Sequence, residues 1–288
     1  AGVLRVKDCV NKGNVTITVN GATGKNCFIG GVVGASGANA VTADASTKNY
    51  GIIEGCQNSG KMTFTHPNGG SSIYMQVGGI TGYFEGQINN CTNDGDIDLQ
   101  NSYTTATARP AIGGVCGSLS ISAENCVNNG NINVKGIFSN GTATASGAAG
   151  IITSSFGGVF GNVGNGAIAD DCKLTGCVNN GSLTIDATMP SSNKSTHRVG
   201  GVVAQSYAVI DGCSNTGDID ATLGSYGQGI GGIAGYTFSS VANCQNSGKV
   251  QVKGVAGFTE NQAYQFYIAG ISGNMASAAA TTMTNCQN

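Results

Sequence analysis

A Cys-x-Asn triplet returns eight times in this chain, at Cys9, Cys56, Cys91, Cys126, Cys177, Cys213, Cys244 and Cys286, and seven copies continue into x-Gly. A second signature, an apolar residue followed by Gly-Gly-(Val/Ile)-x-Gly, interleaves with it. It reads IGGVVG from Ile29, VGGITG from Val77, IGGVCG from Ile112, FGGVFG from Phe156 and IGGIAG from Ile230, with looser versions VGGVVA from Val199 and IAGISG from Ile268. Two interleaved signatures in fixed order describe one structural unit repeated along an axis, because a short repeat cannot close a core alone and must stack on its neighbours.

Spacing separates the rigid part of the unit from the tolerant part. The first Gly of the pair precedes the next repeat Cys by 13 residues in four units: Gly78 to Cys91, Gly113 to Cys126, Gly200 to Cys213 and Gly231 to Cys244. The return step from Cys to the next Gly-Gly runs from 18 residues (Cys213 to Gly231) to 31 (Cys126 to Gly157), so insertions collect on one side as loops. Three short strands fit the constant part. One passes through the Gly-Gly signature, where missing side chains allow close backbone approach. A second leads into the Cys and carries an apolar residue three positions ahead of it, as at Val6, Ile53, Ile88, Ala123, Ile210, Val241 and Met283. The third follows Asn-x-Gly and alternates: Val15/Ile17/Val19, Met62/Phe64, Ile97/Leu99, Ile132/Val134, Leu183/Ile185 and Val250/Val252. Period two buries one face and wets the other, which places Thr16, Thr63, Asp98, Asn133, Thr184, Asp220 and Gln251 outside.

The fold class predicted is all-β: a parallel β-helix of about seven to eight coils, three short strands per coil, with variable loops. Residues 1–288 are read as a single solenoid domain and as a fragment of a longer chain. Helix is disfavoured by 48 Gly, each costing about 1 kcal/mol relative to Ala in a helical position. Equivalent residues of stacked coils form ladders. The repeat cysteines are expected as buried thiols in one such ladder, with Cys172 and Cys177 the best placed local pair if any disulfide forms. Asn11, Asn58, Asn93, Asn128, Asn179, Asn215, Asn246 and Asn288 are expected either as an inward amide ladder or as left-handed turn residues ahead of the Gly.

The Gly-Gly signatures followed by I-x-N-C-x-N-x-G-x-I resemble the GLUG-motif repeats of bacterial surface proteins, found in adhesins and in the stalks of IgA-cleaving metallopeptidases. The likeness covers nearly the whole chain, with Val or Ile where Leu is usual and a Cys-x-Asn pair in every unit. It implies an exported protein, extracellular or on a bacterial cell surface, and carries over no catalytic residue.

Chemistry is sparse. Charged residues are 10% of the chain and nearly cancel to a net charge of -2, leaving no basic field for nucleic acid. No apolar stretch reaches the roughly 18 residues of a membrane span. No C-x-x-C, HExxH, Walker or G-x-S-x-G pattern occurs, so neither a metal, a cofactor nor a nucleophile is expected. His66 and His197 fall in the variable segments and are expected exposed. Asp96/Asp98 and Asp218/Asp220 occupy equivalent strands separated by two coils and so cannot converge on one substrate. Aromatic residues beside the Gly-Gly segments are the better candidates for contact: Tyr74, Tyr83, Tyr103, Tyr207, Tyr226, Tyr236 and Tyr267 could stack on sugars or anchor a protein, or cover the core. The expectation is a non-enzymatic adhesin or stalk binding a host or environmental glycan or surface protein. The alternatives are a β-helix polysaccharide lyase or hydrolase, and a subunit that self-associates through its coil ends.

Overall fold

The computed structural model describes residues 4–20, 26–36, 51–68, 73–101, 108–137, 152–164, 172–188, 195–224, 227–254, 265–276 and 281–288. Among them there is no helix, and the strands assemble into one eight-stranded and four seven-stranded sheets. Every pairing is parallel and joins a strand to its counterpart one repeat away, as in Ile88↔Ala123 and Leu99↔Val134. This is a parallel β-solenoid of seven coils and the start of an eighth.

The coil is divided more finely than the three strands expected. In one coil the order is Gly86–Asn89 (the lead-in strand), Thr92–Asn93 (the asparagine strand), Ile97–Asn101 (the alternating strand), Ala108–Gly113 (the pre-glycine strand) and Cys116–Leu119 (the post-glycine strand). Two physical causes account for the difference. The Gly-Gly-Val segment is a corner that splits one stretch into two strands, and the two residues after each Cys pair across coils although they are too short to show as a strand in sequence.

The corner before each Cys needs a left-handed residue, and this position, rather than the ladder asparagine, takes positive φ. It is Asp8, Asn90, Asn125, Asn243 or Asn285 at φ of 52 to 54°, and Gly55, Gly176 or Gly212 elsewhere. The ladder asparagines turn inward instead. Asn93 Nδ2 donates to Gly95 O at 2.8 Å in its own coil and to Asn128 Oδ1 at 2.8 Å in the next, and the pattern runs from Asn11 to Asn288. Each buried amide thus uses both protons and its oxygen, which removes the penalty of burying it.

The two signatures meet at this ladder. A Cβ on Gly114 would lie 2.2 Å from Asn128 Cγ, so the second Gly of each pair is the space into which the asparagine packs. The third Gly serves a different contact: a Cβ on Gly117 would lie 2.6 Å from Val77 N, so the post-glycine strand lies backbone against the pre-glycine strands. Gly-Gly and asparagine together divide the interior into two apolar columns. One holds Ile53, Ile88, Leu174, Ile210 and Val241 from the lead-in strands with the repeat cysteines and Ile80, Phe84, Val159 and Phe160. The other holds the alternating strands and the pre-glycine strands, with Phe64, Leu99, Val134 and Ile185 facing Val77, Ile112, Phe156 and Val199.

Candidate functional site

The outer residue at the third position of each post-glycine strand forms a column across coils: Ala35, Tyr83, Ser118, Asn162, Gln205, Tyr236 and Asn274 in register. The pre-glycine strands carry a second column, Phe28, Gln76, Ala111, Ser155, Arg198, Gly229 and Tyr267. Because the third Gly brings the two strands together, these columns face one another across a groove along the solenoid flank. Phe28 and Tyr83 lie 5.7 Å apart by ring centroid, and Arg198 Nη1 donates to Gln205 Oε1. The groove encloses about 350 Å³ and is lined by Gln76, Tyr83, Ser118, Asn162, Gln205 and Tyr207, among others.

Polar groups dominate its centre and are incompletely used. Gln76 Oε1, Ser155 Oγ and Asn162 Oδ1 are buried with no hydrogen-bond partner. At one end, Tyr83 Oη donates to Glu85 Oε1 at 2.5 Å, and burial raises the phenol above its ordinary value. At the other end, the Arg198 guanidinium sits 4.3 Å from the Tyr236 ring centroid and burial lowers it from its ordinary value. Tyr207 stacks on Phe238 at 4.2 Å with 3° between planes, and Tyr236 meets Phe238 at 4.8 Å. Among the described residues no carboxylate pairs with Arg198.

Of the tyrosines singled out in the sequence, Tyr83 and Tyr207 line the groove, and Tyr236 stands further along the same column beside Arg198. Tyr267 is at the position equivalent to Arg198, two coils on, and 37% exposed. Tyr74 pairs with Asn26 and Arg109 along the pre-glycine strands, whereas Tyr103 and Tyr226 lie outside the described residues. The polar members Gln76, Ser118, Asn162, Gln205 and Arg198 were missed by sequence reasoning, although a signal existed. The column from Tyr83 to Tyr236 always falls five residues after the first Gly of the pair.

Two expectations are corrected. His66 and His197 are 2% and 0% exposed rather than solvated. His66 Nδ1 is 3.0 Å from Asn101 Oδ1, while both ring nitrogens of His197 lack a partner and its neighbour is Phe156 at 6.1 Å. Burial depresses His197 to about 4. Cys56, Cys91, Cys126, Cys177, Cys213 and Cys244 are buried free thiols, with Cys9 and Cys286 on the outer coils less covered. Each directs its Sγ at a carbonyl two residues back, as Cys91 to Asn89 O at 3.3 Å. Cys172 Sγ lies 3.7 Å from Ser120 O and Cys177 Sγ 3.5 Å from Thr175 O, so the local pair does not face itself.

The acidic residues stay apart as expected. Asp98 pairs with Lys61 at 2.5 Å and Asp220 with Lys253 at 3.5 Å on separate coils. Among the described residues no group of three or more His, Cys, Asp or Glu could hold a metal ion, and no helix is long and apolar enough to cross a membrane.

A family model described as the GLUG motif matches residues 226–251. That span is one coil, from the pre-glycine strand Gly227–Gly231 through the corner, Val241–Ala242 and Gln245–Asn246 into the alternating strand that begins at Val250. This coil carries the GLUG motif. The same five-strand order recurs in the other coils, so the GLUG motif here is the sequence of one solenoid turn, its glycines the corner and its asparagine the ladder. No curated protein and no solved structure matches the chain.

Proposed function

We propose that this GLUG-motif solenoid is a non-enzymatic extracellular or cell-surface protein that binds a glycan or a surface protein along its flank, in the manner of an adhesin or a stalk with an adhesive face. The observation that carries the reading is that Tyr83 and Tyr207 line one groove together with Gln76 and Asn162, whose amide oxygens are buried and unpartnered. Flat rings beside unused hydrogen-bonding groups are what a polyhydroxylated or amphipathic ligand requires. The chain's polar uncharged surface suits exposure to a medium of varied salt, since little of its solubility depends on charge.

The test is saturable binding of the purified chain to an array of glycans and matrix proteins, with released products analysed in parallel. Binding lost in a Tyr83→Ala/Tyr207→Ala double variant supports the reading. Product release with turnover would establish an enzyme, and binding that survives the double variant would move the contact elsewhere.

A further inference from the structure

Resting on that reading of the groove, we propose that its ligand is an extended, carboxylate-bearing oligosaccharide lying parallel to the solenoid axis, about one sugar per coil, with a uronate carboxylate on Arg198. Three observations combine. The groove is periodic: from Tyr83 to Tyr236 the outer column climbs four coils, about 19 Å at the spacing of paired strands. A ribbon-like 1,4-linked pyranose chain advances by nearly the same distance per sugar, so each coil meets one sugar and, because successive sugars are turned over, equivalent hydroxyls recur on alternate coils. A ligand crossing the axis would meet this column only once.

The second observation concerns hydrogen bonds. Gln76 Oε1, Ser155 Oγ and Asn162 Oδ1 are buried without partners, Gln76 on one coil and Ser155 with Asn162 together two coils on. Two are amide oxygens, which need donors, and a sugar chain offers a row of hydroxyl donors. The third concerns charge. Arg198 projects into the same pair of facing columns, held by Gln205 and the Tyr236 face, and among the described residues no carboxylate neutralises it. Glu85, three coils back at about 14 Å by the same spacing, is bonded to Tyr83. A planar guanidinium with unused N–H donors takes a carboxylate in a forked geometry, and partial burial strengthens the contact.

Calorimetric titration of the whole chain with β-1,4-linked mannuronate oligomers of one to seven residues, against neutral manno-oligosaccharides of equal length, tests the proposal, with hyaluronan oligomers against chito-oligosaccharides as a second pair. In at least one pair the uronate series should bind about tenfold tighter than the neutral one, with a preference weakened by salt and an affinity that rises with length to about five sugars before levelling. Arg198→Gln should erase the preference while Arg198→Lys keeps part of it, which separates lost charge from lost packing. Equal binding of neutral oligomers, no dependence on length, an Arg198→Gln variant that retains the preference, or a poly-glutamate peptide that competes as well would overturn the proposal. Array binding to a protein with no uronate binding would overturn it alone and leave the adhesive reading standing.

Discussion

His197 shows how strongly one position in a period-two strand is governed by parity. It lies two residues before Val199, and His66 lies two residues after Phe64, so both histidines share the phase of buried neighbours. Sequence reasoning assigned them to loops because the variable segments begin nearby; the strands in fact continue through Met62–Asn68 and Ser195–Gly200. Parity then forces the rings inside. His197, neutral and unpartnered against Phe156, is held near 4 by burial against an ordinary value of 6.5. A proton taken up by the unfolded chain between those values is refused by the folded one. Stability associated with His197 is therefore fully present above pH 6.5, falls as pH drops towards 4, and the loss saturates below it at about 3 kcal/mol. His197→Leu should remove that part of the acid sensitivity. Urea midpoints of the two proteins measured at pH 7.5 and 4.5 should diverge, the variant losing less on acidification; parallel losses would show that the native ring is protonated or solvated.

At the scale of the element, the ladders set the register that alternation alone leaves open. A parallel stack with one apolar face can slip along the strand by two residues without exposing its core, but a slip takes the Asn column out of contact with itself. Asn128 accepts from Asn93 Nδ2 at 2.8 Å and donates to Gly130 O and Asn179 Oδ1, both at 2.8 Å. Asn128→Ala strands groups on three sites inside the core, and at 1–3 kcal/mol for each unsatisfied group, with partial relaxation, the loss should be about 4 kcal/mol. Its neighbour Asn129 donates to Asp94 on the exposed side, and Asn129→Ala should cost less than about 1 kcal/mol. Denaturant unfolding of the pair reads the difference; equal effects would mean the amide column adds no more than a surface bond. The thiols beside it have a different role. Burial pushes Cys91 up to about 12, and Cys213 and Cys244 are raised chiefly by the thiol of the coil before, so the column fills space as neutral sulfur with little thiolate to react.

At the scale of the molecule, the parts legible in sequence are those written once per coil: the Cys and Asn ladders, the alternating strand and the glycine corner. The groove is written differently, by place and not by residue type: one residue per coil at 31 to 44 residues' separation, at a fixed offset from the Gly-Gly pair but with no fixed side chain, so residue type does not mark Tyr83, Asn162 and Arg198 as members of one groove. Stacking alone makes them so. The same additivity permits a test of the whole design, because each coil contacts only the next and the core between any two has the same form. Residues 91–125 make one complete coil of 35 residues, and deleting them joins Asn90 to Cys126. Asn90 and Asn125 share a left-handed backbone, φ 53 and 52°, so the joint repeats a geometry already present. Asn58 would then meet Asn128, Ile88 would meet Leu174 across the rung that Ala123 vacates, and Tyr83 would stand beside Asn162. The shortened chain should unfold cooperatively and keep its β circular dichroism, and its oligouronate series should level off one sugar earlier than the parent's. A chain that fails to fold would contradict the equivalence of coils, whereas a folded chain with an unchanged plateau would separate the groove's ligand from the rung spacing that the solenoid imposes.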